Sequence, residues 1–224
     1  MNENMTELVF ILDRSGSMSG LEDDTIGGFN GMLKKQREEN ENINVTTVLF
    51  DDKSEIIHDR FPIAIVQPLT NKDYYVRGCT ALLDAVGGAI HKIENVETHL
   101  PESYKASKII FVITTDGHEN SSREYTYSQI RKMIEAKREI GWEFLFLGAN
   151  IDAVGEAEKI GISRNRAVTY ENDKTGVSLN YEVVGSAVRK AVSKQNSEVN
   201  DALFEDNWAD EIVKYHDTRN RRRK

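Results

Sequence analysis

Runs of apolar residues alternate with helical patterns along most of the chain. Six short runs have the composition of β-strands, at residues 8–12, 45–50, 54–61, 109–113, 144–147 and 167–170. The runs 8–12 and 109–113 are purely apolar, as expected of central strands that are buried on both faces. The run 54–61 is more polar and partly alternating, which is typical of an edge strand. The sequence therefore predicts a six-stranded sheet with its third strand at an edge.

Between the strands, apolar residues recur at spacings of three and four, which predicts amphipathic helices. These patterns cover residues 26–36, 82–93, 127–137, 153–160 and 181–191. Strands that alternate with helices form βαβ units, in which a mostly parallel sheet is covered by helices on both faces. We therefore expect a doubly wound, Rossmann-like α/β domain over residues 5–195.

The remaining residues, 196–224, are expected to form a C-terminal extension. Its apolar residues suggest a short amphipathic segment that packs back onto the domain; they are Leu203, Phe204, Trp208 and Ile212. The last six residues, 219–224, contain five cations and no acid. Such a charge run is expected to be a solvated tail.

Composition places the chain among globular proteins and limits its partners. Apolar residues make up 39% and charged residues 29% of the 224 residues, and the net charge is −8. Without the basic end the other 218 residues carry a charge of −13, from 24 cations and 37 acids. A body this acidic repels phosphate backbones, which argues against a nucleic-acid partner. Because Cys79 is the single cysteine, an intramolecular disulfide and a zinc site with several thiolates are excluded.

The sequence also gives an expectation for the compartment. The first apolar run has five residues, whereas a signal peptide needs roughly 7–15 and a membrane span roughly 20. No longer run occurs elsewhere. We therefore expect a cytoplasmic protein that does not bind membranes.

Polar residues with metal-binding chemistry follow the first and fourth strands. Asp13, Ser15 and Ser17 come directly after the first strand, and Asp116 follows the fourth. Thr80 precedes the helix at 82–93. Because ligands bind outside the carboxyl ends of parallel strands, these side chains are expected to meet there. Hydroxyl and carboxylate oxygens suit Mg²⁺, Mn²⁺ or Ca²⁺. The alternative for the first loop alone is a Ser/Asp/Gly turn that caps the next helix.

These motifs resemble a known family. Asp13-x-Ser15-x-Ser17, Thr80 in a Gly-x-Thr-Ala-Leu context and Asp116 in Thr-Thr-Asp-Gly are similar to the metal-ion-dependent adhesion site (MIDAS) of von Willebrand factor A domains. The run 8–18 resembles the bacterial and phage cytoplasmic members. The resemblance implies that Ser15, Ser17 and Thr80 ligate the ion, while Asp13 and Asp116 act directly or through water. It also implies that the third strand of the sheet is antiparallel.

The resemblance implies a binding module, and the sequence lacks the common enzyme motifs. The chain contains neither a P-loop nor a Gly-x-Gly-x-x-Gly motif, and Met18 occupies the serine position of a possible nucleophile elbow. We expect a non-enzymatic, Mg²⁺-dependent module whose ion completes its coordination with an acidic side chain of a partner protein. The alternatives are a metal-dependent hydrolase or phosphoryl-transfer enzyme on the same fold, and a scaffold that binds without metal.

Several other residues near these loops have simpler structural interpretations. Cys79 is expected to be a small buried side chain that fixes the loop, with a reactive thiol as the alternative. His118, Glu119 and Asn120 could border the site, or cap a helix and face solvent. The pair at 51–52 is expected to form a hairpin turn.

Overall fold

The six predicted strands form one mostly parallel sheet. The computed structural model describes residues 2–149, 151–194, 204–205 and 207–223, of which residues 2–4 and 222–223 are described by backbone alone. The strands are β1 (Asn2–Asp13), β2 (Ile43–Phe50), β3 (Ser54–Pro62), β4 (Ala106–Thr115), β5 (Glu143–Ala149) and β6 (Ala167–Tyr170). Their order is β3-β2-β1-β4-β5-β6, and β3 pairs antiparallel with β2 at one edge. The expected fold class and the antiparallel edge strand are both confirmed.

Helices cover both faces of this sheet. They are α1 (Glu22–Glu39), α2 (Leu82–His99), α3 (Tyr127–Glu139), α4 (Ala153–Lys159), α5 (Lys174–Ser193) and α6 (Asp210–Arg223). One apolar core lies under α1, α5 and α6, and a second lies under α2, α3 and α4. Successive residues of β1 enter opposite cores, Phe10 the first and Ile11 the second. Burial on both faces explains why this strand is apolar at every position from 8 to 12.

The strand order fixes where a ligand site can form. From β1 the chain proceeds outward to β2 and β3, whereas from β4 it proceeds in the opposite direction to β5 and β6. β1 and β4 are neighbours and parallel, with Leu12 opposite Thr114 near their carboxyl ends. The loops after these two strands diverge to opposite faces and leave a crevice between them. Asp13 and Asp116 both lie at this position.

The C-terminal segment packs onto the domain as a helix. Phe204 and Ile212 are buried in the first core, whereas Leu203 and the expected boundary after residue 195 lie outside the described residues. The expectation of a solvated basic tail is wrong for Arg219. This residue belongs to α6, and its Nη2 atom lies 2.5 Å from Oδ2 of Asp173. The reason is that α6 packs beside β6 and α5 and brings the arginine to an acidic loop. In the described part of the chain, none of the helices has both the length and the apolar character that a bilayer span requires.

Candidate metal centre

Asp13 is the innermost residue of the candidate site. It ends β1, and only 1% of it is exposed. Its Oδ1 atom accepts a hydrogen bond from the backbone N–H of Ser15 at 2.7 Å, and its Oδ2 atom accepts one from Oγ1 of Thr115 at 2.6 Å. Burial raises the pKa of Asp13 to about 6, although these hydrogen bonds oppose the shift. A rigid carboxylate therefore lies at the base of the crevice and is short of compensating positive charge.

The two serines connect Asp13 to the opposite strand. Ser15 is buried, Ser17 is exposed, and their hydroxyl oxygens share a hydrogen bond of 3.0 Å. Ser17 also donates a hydrogen bond to Oδ1 of Asp116. Burial raises the pKa of Asp116 as well, against the bonds it accepts. A continuous set of oxygens thus crosses from β1 to β4.

Thr80 completes the set from a third loop. It is buried, and its backbone N–H donates to Oδ1 of Asn120 at 2.9 Å. A Cβ atom placed on Gly117 would lie 3.0 Å from Oγ1 of Thr80 and 3.3 Å from Oγ of Ser17. Both hydroxyls therefore face the same small space, which glycine at this position leaves open.

The donor set fits a hard divalent cation. The structure brings together all five residues expected from the sequence; they are Asp13, Ser15, Ser17, Thr80 and Asp116. Within the described ranges, no three His, Cys, Asp or Glu side chains form a metal-binding group. This centre has two carboxylates, and its other oxygens are hydroxyls. An all-oxygen set of this kind suits Mg²⁺, Mn²⁺ or Ca²⁺ better than a transition metal that prefers nitrogen or sulfur.

A buried arginine that the sequence analysis did not single out fixes the first loop. Arg14 lies between Asp13 and Ser15, and its side chain is fully buried. Its Nε atom donates to Oδ2 of Asp51 at 2.8 Å, and its Nη2 atom donates to Oε2 of Glu55 at the same distance. Asp51 thus does more than form the expected hairpin turn. No local pattern signals this contact, because the two residues are 37 positions apart.

Asp51 binds a second arginine from the loop before α2. The Nε atom of Arg77 also donates to Oδ2 of Asp51 at 2.8 Å, and its backbone N–H donates to the carbonyl of Arg14 at 3.0 Å. Burial alone would raise the pKa of Asp51, but the bonds from Arg77 and Arg14 outweigh it and hold the pKa below its ordinary value. The ion-pair network therefore joins the loop that bears Ser15 and Ser17 to the loop that bears Thr80.

One expectation for the residues around the opening of the site is wrong. Cys79 is exposed, not buried, because the neighbouring Thr80 takes the inward position. Glu119 caps α2, since its Oε2 atom accepts a hydrogen bond from the backbone N–H of Leu83 at 2.9 Å. The His118 side chain is 66% exposed, and its Nδ1 atom lies 3.3 Å from Oε1 of Glu156.

The buried carboxylate of Asp13 predicts a pH-dependent response to metal. The pKa of Asp13 is 3.8 in the unfolded chain and about 6 in the fold, so protonation of Asp13 stabilises the metal-free fold. This stabilisation is lost as the pH rises from 3.8 through about 6. Above that range the carboxylate is ionised and can bind a cation. We expect Mg²⁺ to raise the melting temperature more at about pH 7.5 than at about pH 5. Thermal unfolding with and without Mg²⁺ at both pH values measures this, and equal increments would contradict it.

Solved structures provide the comparison with known proteins. A von Willebrand factor type A protein from Catenulispora acidiphila is 13% identical, with a TM-score of 0.55 over 84% of this chain and 43% of that one. Proximal thread matrix protein 1 from the mussel byssus, solved with a zinc-occupied MIDAS motif, is 15% identical. The TM-score is 0.53, and the match covers 83% of this chain and 46% of that one. The vWF domain of the type V pili tip protein Mfa5 from Porphyromonas gingivalis is 8% identical. The TM-score is 0.60, and the match covers 87% of this chain and 98% of that one.

These likenesses show that the chain has a von Willebrand factor A-type fold. The chain spans less than half of the Catenulispora and mussel proteins and nearly the whole of the Mfa5 domain. No family model matches the sequence, and no curated protein sequence matches it. The evidence from known proteins therefore concerns architecture, and the chemistry of the site rests on the residues of this chain.

Proposed function

We propose that this chain is a protein-binding module that depends on a divalent cation and is not an enzyme. The observation that carries the proposal is the convergence of two carboxylates and three hydroxyls at the carboxyl edge of the sheet, around a space that a Cβ atom on Gly117 would enter. Asp13, Ser15, Ser17, Thr80 and Asp116 would hold the ion. Mg²⁺ is the favoured ion, with Mn²⁺ or Ca²⁺ as alternatives.

The charge and number of these groups favour an acidic partner. Mg²⁺ demands six oxygen ligands in nearly octahedral geometry. Three of the candidate groups are neutral hydroxyls, and we propose that Asp13 and Asp116 act at least partly through water, so that the direct ligands of the ion carry little negative charge. Ser17 is exposed, whereas the other four residues are buried, so the centre opens to solvent on the Ser17 side. A carboxylate from another protein can approach there and displace a water molecule.

The contacts around the site give less support to a hydrolase. A hydrolytic mechanism needs a general base within reach of the attacking water. His118 lies two positions after Asp116 in the sequence, and its Nδ1 atom faces Glu156. The known proteins with this fold support an interaction role, since one is named for a zinc-occupied MIDAS motif and another is a pili tip protein. We propose the bacterial or phage cytoplasm as the setting.

The partner interaction provides the direct test. Partners are captured from the native host with and without EDTA, and an identified partner is then titrated against the purified chain. Thr80→Ala removes one expected ligand, so we expect partner affinity to fall about tenfold. Thr98→Ala is the matched control, because Thr98 is exposed on α2 and bonds the carbonyl of Glu94. EDTA should abolish binding, and added Mg²⁺ or Mn²⁺ should restore it.

The same titration separates the alternatives. Changing the partner's candidate carboxylate to the amide should weaken binding as much as metal removal does. Affinity that is unchanged in EDTA would contradict the metal-bridged mechanism and favour the metal-independent scaffold. Metal-dependent turnover of generic phosphate esters that is lost in Thr80→Ala would favour the enzyme.

A further inference from the structure

The short connection between β6 and α5 contacts the metal centre directly. Asn172, in this connection, donates a hydrogen bond from Nδ2 to Oδ2 of Asp116 at 3.0 Å. The other oxygen of Asp116, Oδ1, accepts the bond from Ser17. Both oxygens of Asp116 are therefore oriented, and Asn172 determines the direction of the second. Removing a group that orients a metal ligand in this way typically lowers metal affinity by about 10- to 100-fold.

The position of the Asn172 side chain is fixed by one hydrogen bond and by the backbone of this loop. Among the residues that the structure describes, its Oδ1 atom is buried and has no hydrogen-bond partner. The amide group is thus held at one end, by Asp116. A small displacement of residues 171–173 would therefore move the donor away from the carboxylate.

Helix α6 holds the residues on both sides of Asn172. The Nδ1 atom of His216 lies 2.8 Å from Oε1 of Glu171, a close contact that lacks hydrogen-bond geometry. Arg219 donates from Nη2 at 2.5 Å and from Nε at 3.2 Å to Oδ2 of Asp173. The hydroxyl of Tyr215 donates to Oδ1 of Asp173 at 3.2 Å. We call Tyr215, His216 and Arg219 the C-terminal clamp.

The clamp acts on a tight turn and is itself anchored. Asp173 caps α5 by accepting a bond from the backbone N–H of Gly176 at 2.8 Å, and a Cβ atom on Gly176 would lie 2.0 Å from the carbonyl oxygen of Glu171. The close approach of the two backbone segments therefore requires glycine at position 176. Ile212 fixes α6 because its side chain is buried in the first core.

We propose that the C-terminal clamp positions the metal centre through Asn172. This role rests on the metal site proposed above and extends that site to the C-terminal helix α6. Asn172 is a positioning residue, since it contacts a ligand and not the ion. By linkage, metal binding and the docking of α6 stabilise each other.

A double-mutant cycle with Mn²⁺ tests the proposal. Asn172→Ala should lower Mn²⁺ affinity about tenfold, and Arg219→Ala should lower it about threefold. In the double variant, Arg219→Ala should add less than about twofold, because its effect passes through Asn172. Lys214→Ala is the matched control, since it removes one cation from an exposed position of α6 and should change the affinity less than about twofold. Calorimetric titration of the full chain gives all four affinities.

Hydrogen exchange without metal provides an independent measurement. Arg219→Ala should speed amide exchange at residues 171–177, whereas Lys214→Ala should leave it unchanged. Unaltered exchange in Arg219→Ala would overturn the clamp, as would additive effects in the cycle. If the wild-type chain bound no Mn²⁺, the proposed function would fail, and faster exchange in Arg219→Ala would still support the clamp on this loop.

Discussion

Replacing Asp13 by asparagine is expected to abolish the stabilisation of this protein by Mg²⁺. Asp13→Asn keeps the shape of a side chain that is fully enclosed at the end of β1 but removes its charge. At a metal concentration 100 times the dissociation constant, a wild-type site adds about 2.7 kcal/mol to the free energy of unfolding. A variant whose affinity is about 100-fold lower retains little of this. Thermal or denaturant unfolding with and without Mg²⁺ measures the difference.

The metal-free variant provides the check on folding. Because burial raises the pKa of Asp13, the ionised carboxylate costs stability at neutral pH. Metal-free Asp13→Asn should therefore be about as stable as the wild type, or more so. Asp59→Asn is the control, since Asp59 lies on the edge strand β3 and its exposed carboxylate pairs with Lys92 of α2. A full Mg²⁺ increment in Asp13→Asn would show that the site is assigned to the wrong residues.

The second large effect is expected at Arg14. Arg14→Met keeps the length of the buried side chain but leaves Asp51, whose side chain is also fully buried, without its buried partner. Removing one member of a buried ion pair typically costs 3–5 kcal/mol, because a charge remains in a poorly solvated environment. Since Arg77 still contacts Asp51, we expect a loss of about 3 kcal/mol in the free energy of unfolding, the lower end of that range. Urea unfolding of the metal-free chain measures this loss.

Arg77→Met is the matched control for this prediction. It removes the other arginine on the same carboxylate oxygen, but the Arg77 side chain is 44% exposed. Solvent screens such a pair, so its loss should cost clearly less stability than the loss of Arg14. Equal losses in the two variants would mean that the burial of Arg14 does not determine the strength of this network.

The sequence alone predicted the architecture, which the structure confirms, and the members of the candidate metal centre. Burial on both faces requires apolar residues at every position of a central strand, so β1 and β4 were visible as uninterrupted runs. Parallel strands place their carboxyl ends at one edge, so Asp13 and Asp116 could be assigned to a common site without coordinates. Ser15, Ser17 and Thr80 were identified by motifs that resemble a MIDAS, and the structure places them beside these two carboxylates. Local patterns and topology were sufficient for these conclusions.

Only the tertiary structure decided what supports that centre. The bond from Asn172 to Asp116 spans 56 positions, and the bond from Arg219 to Asp173 spans 46. Neither contact has a local pattern, because an asparagine in a loop and an arginine in a basic run are ordinary surface residues until a fold brings them to a partner. The same holds for Arg14, whose charge would normally predict exposure and which is buried because Asp51 lies opposite it. Periodicity records which face of an element is buried, whereas the pairing of individual polar side chains depends on how distant elements pack together.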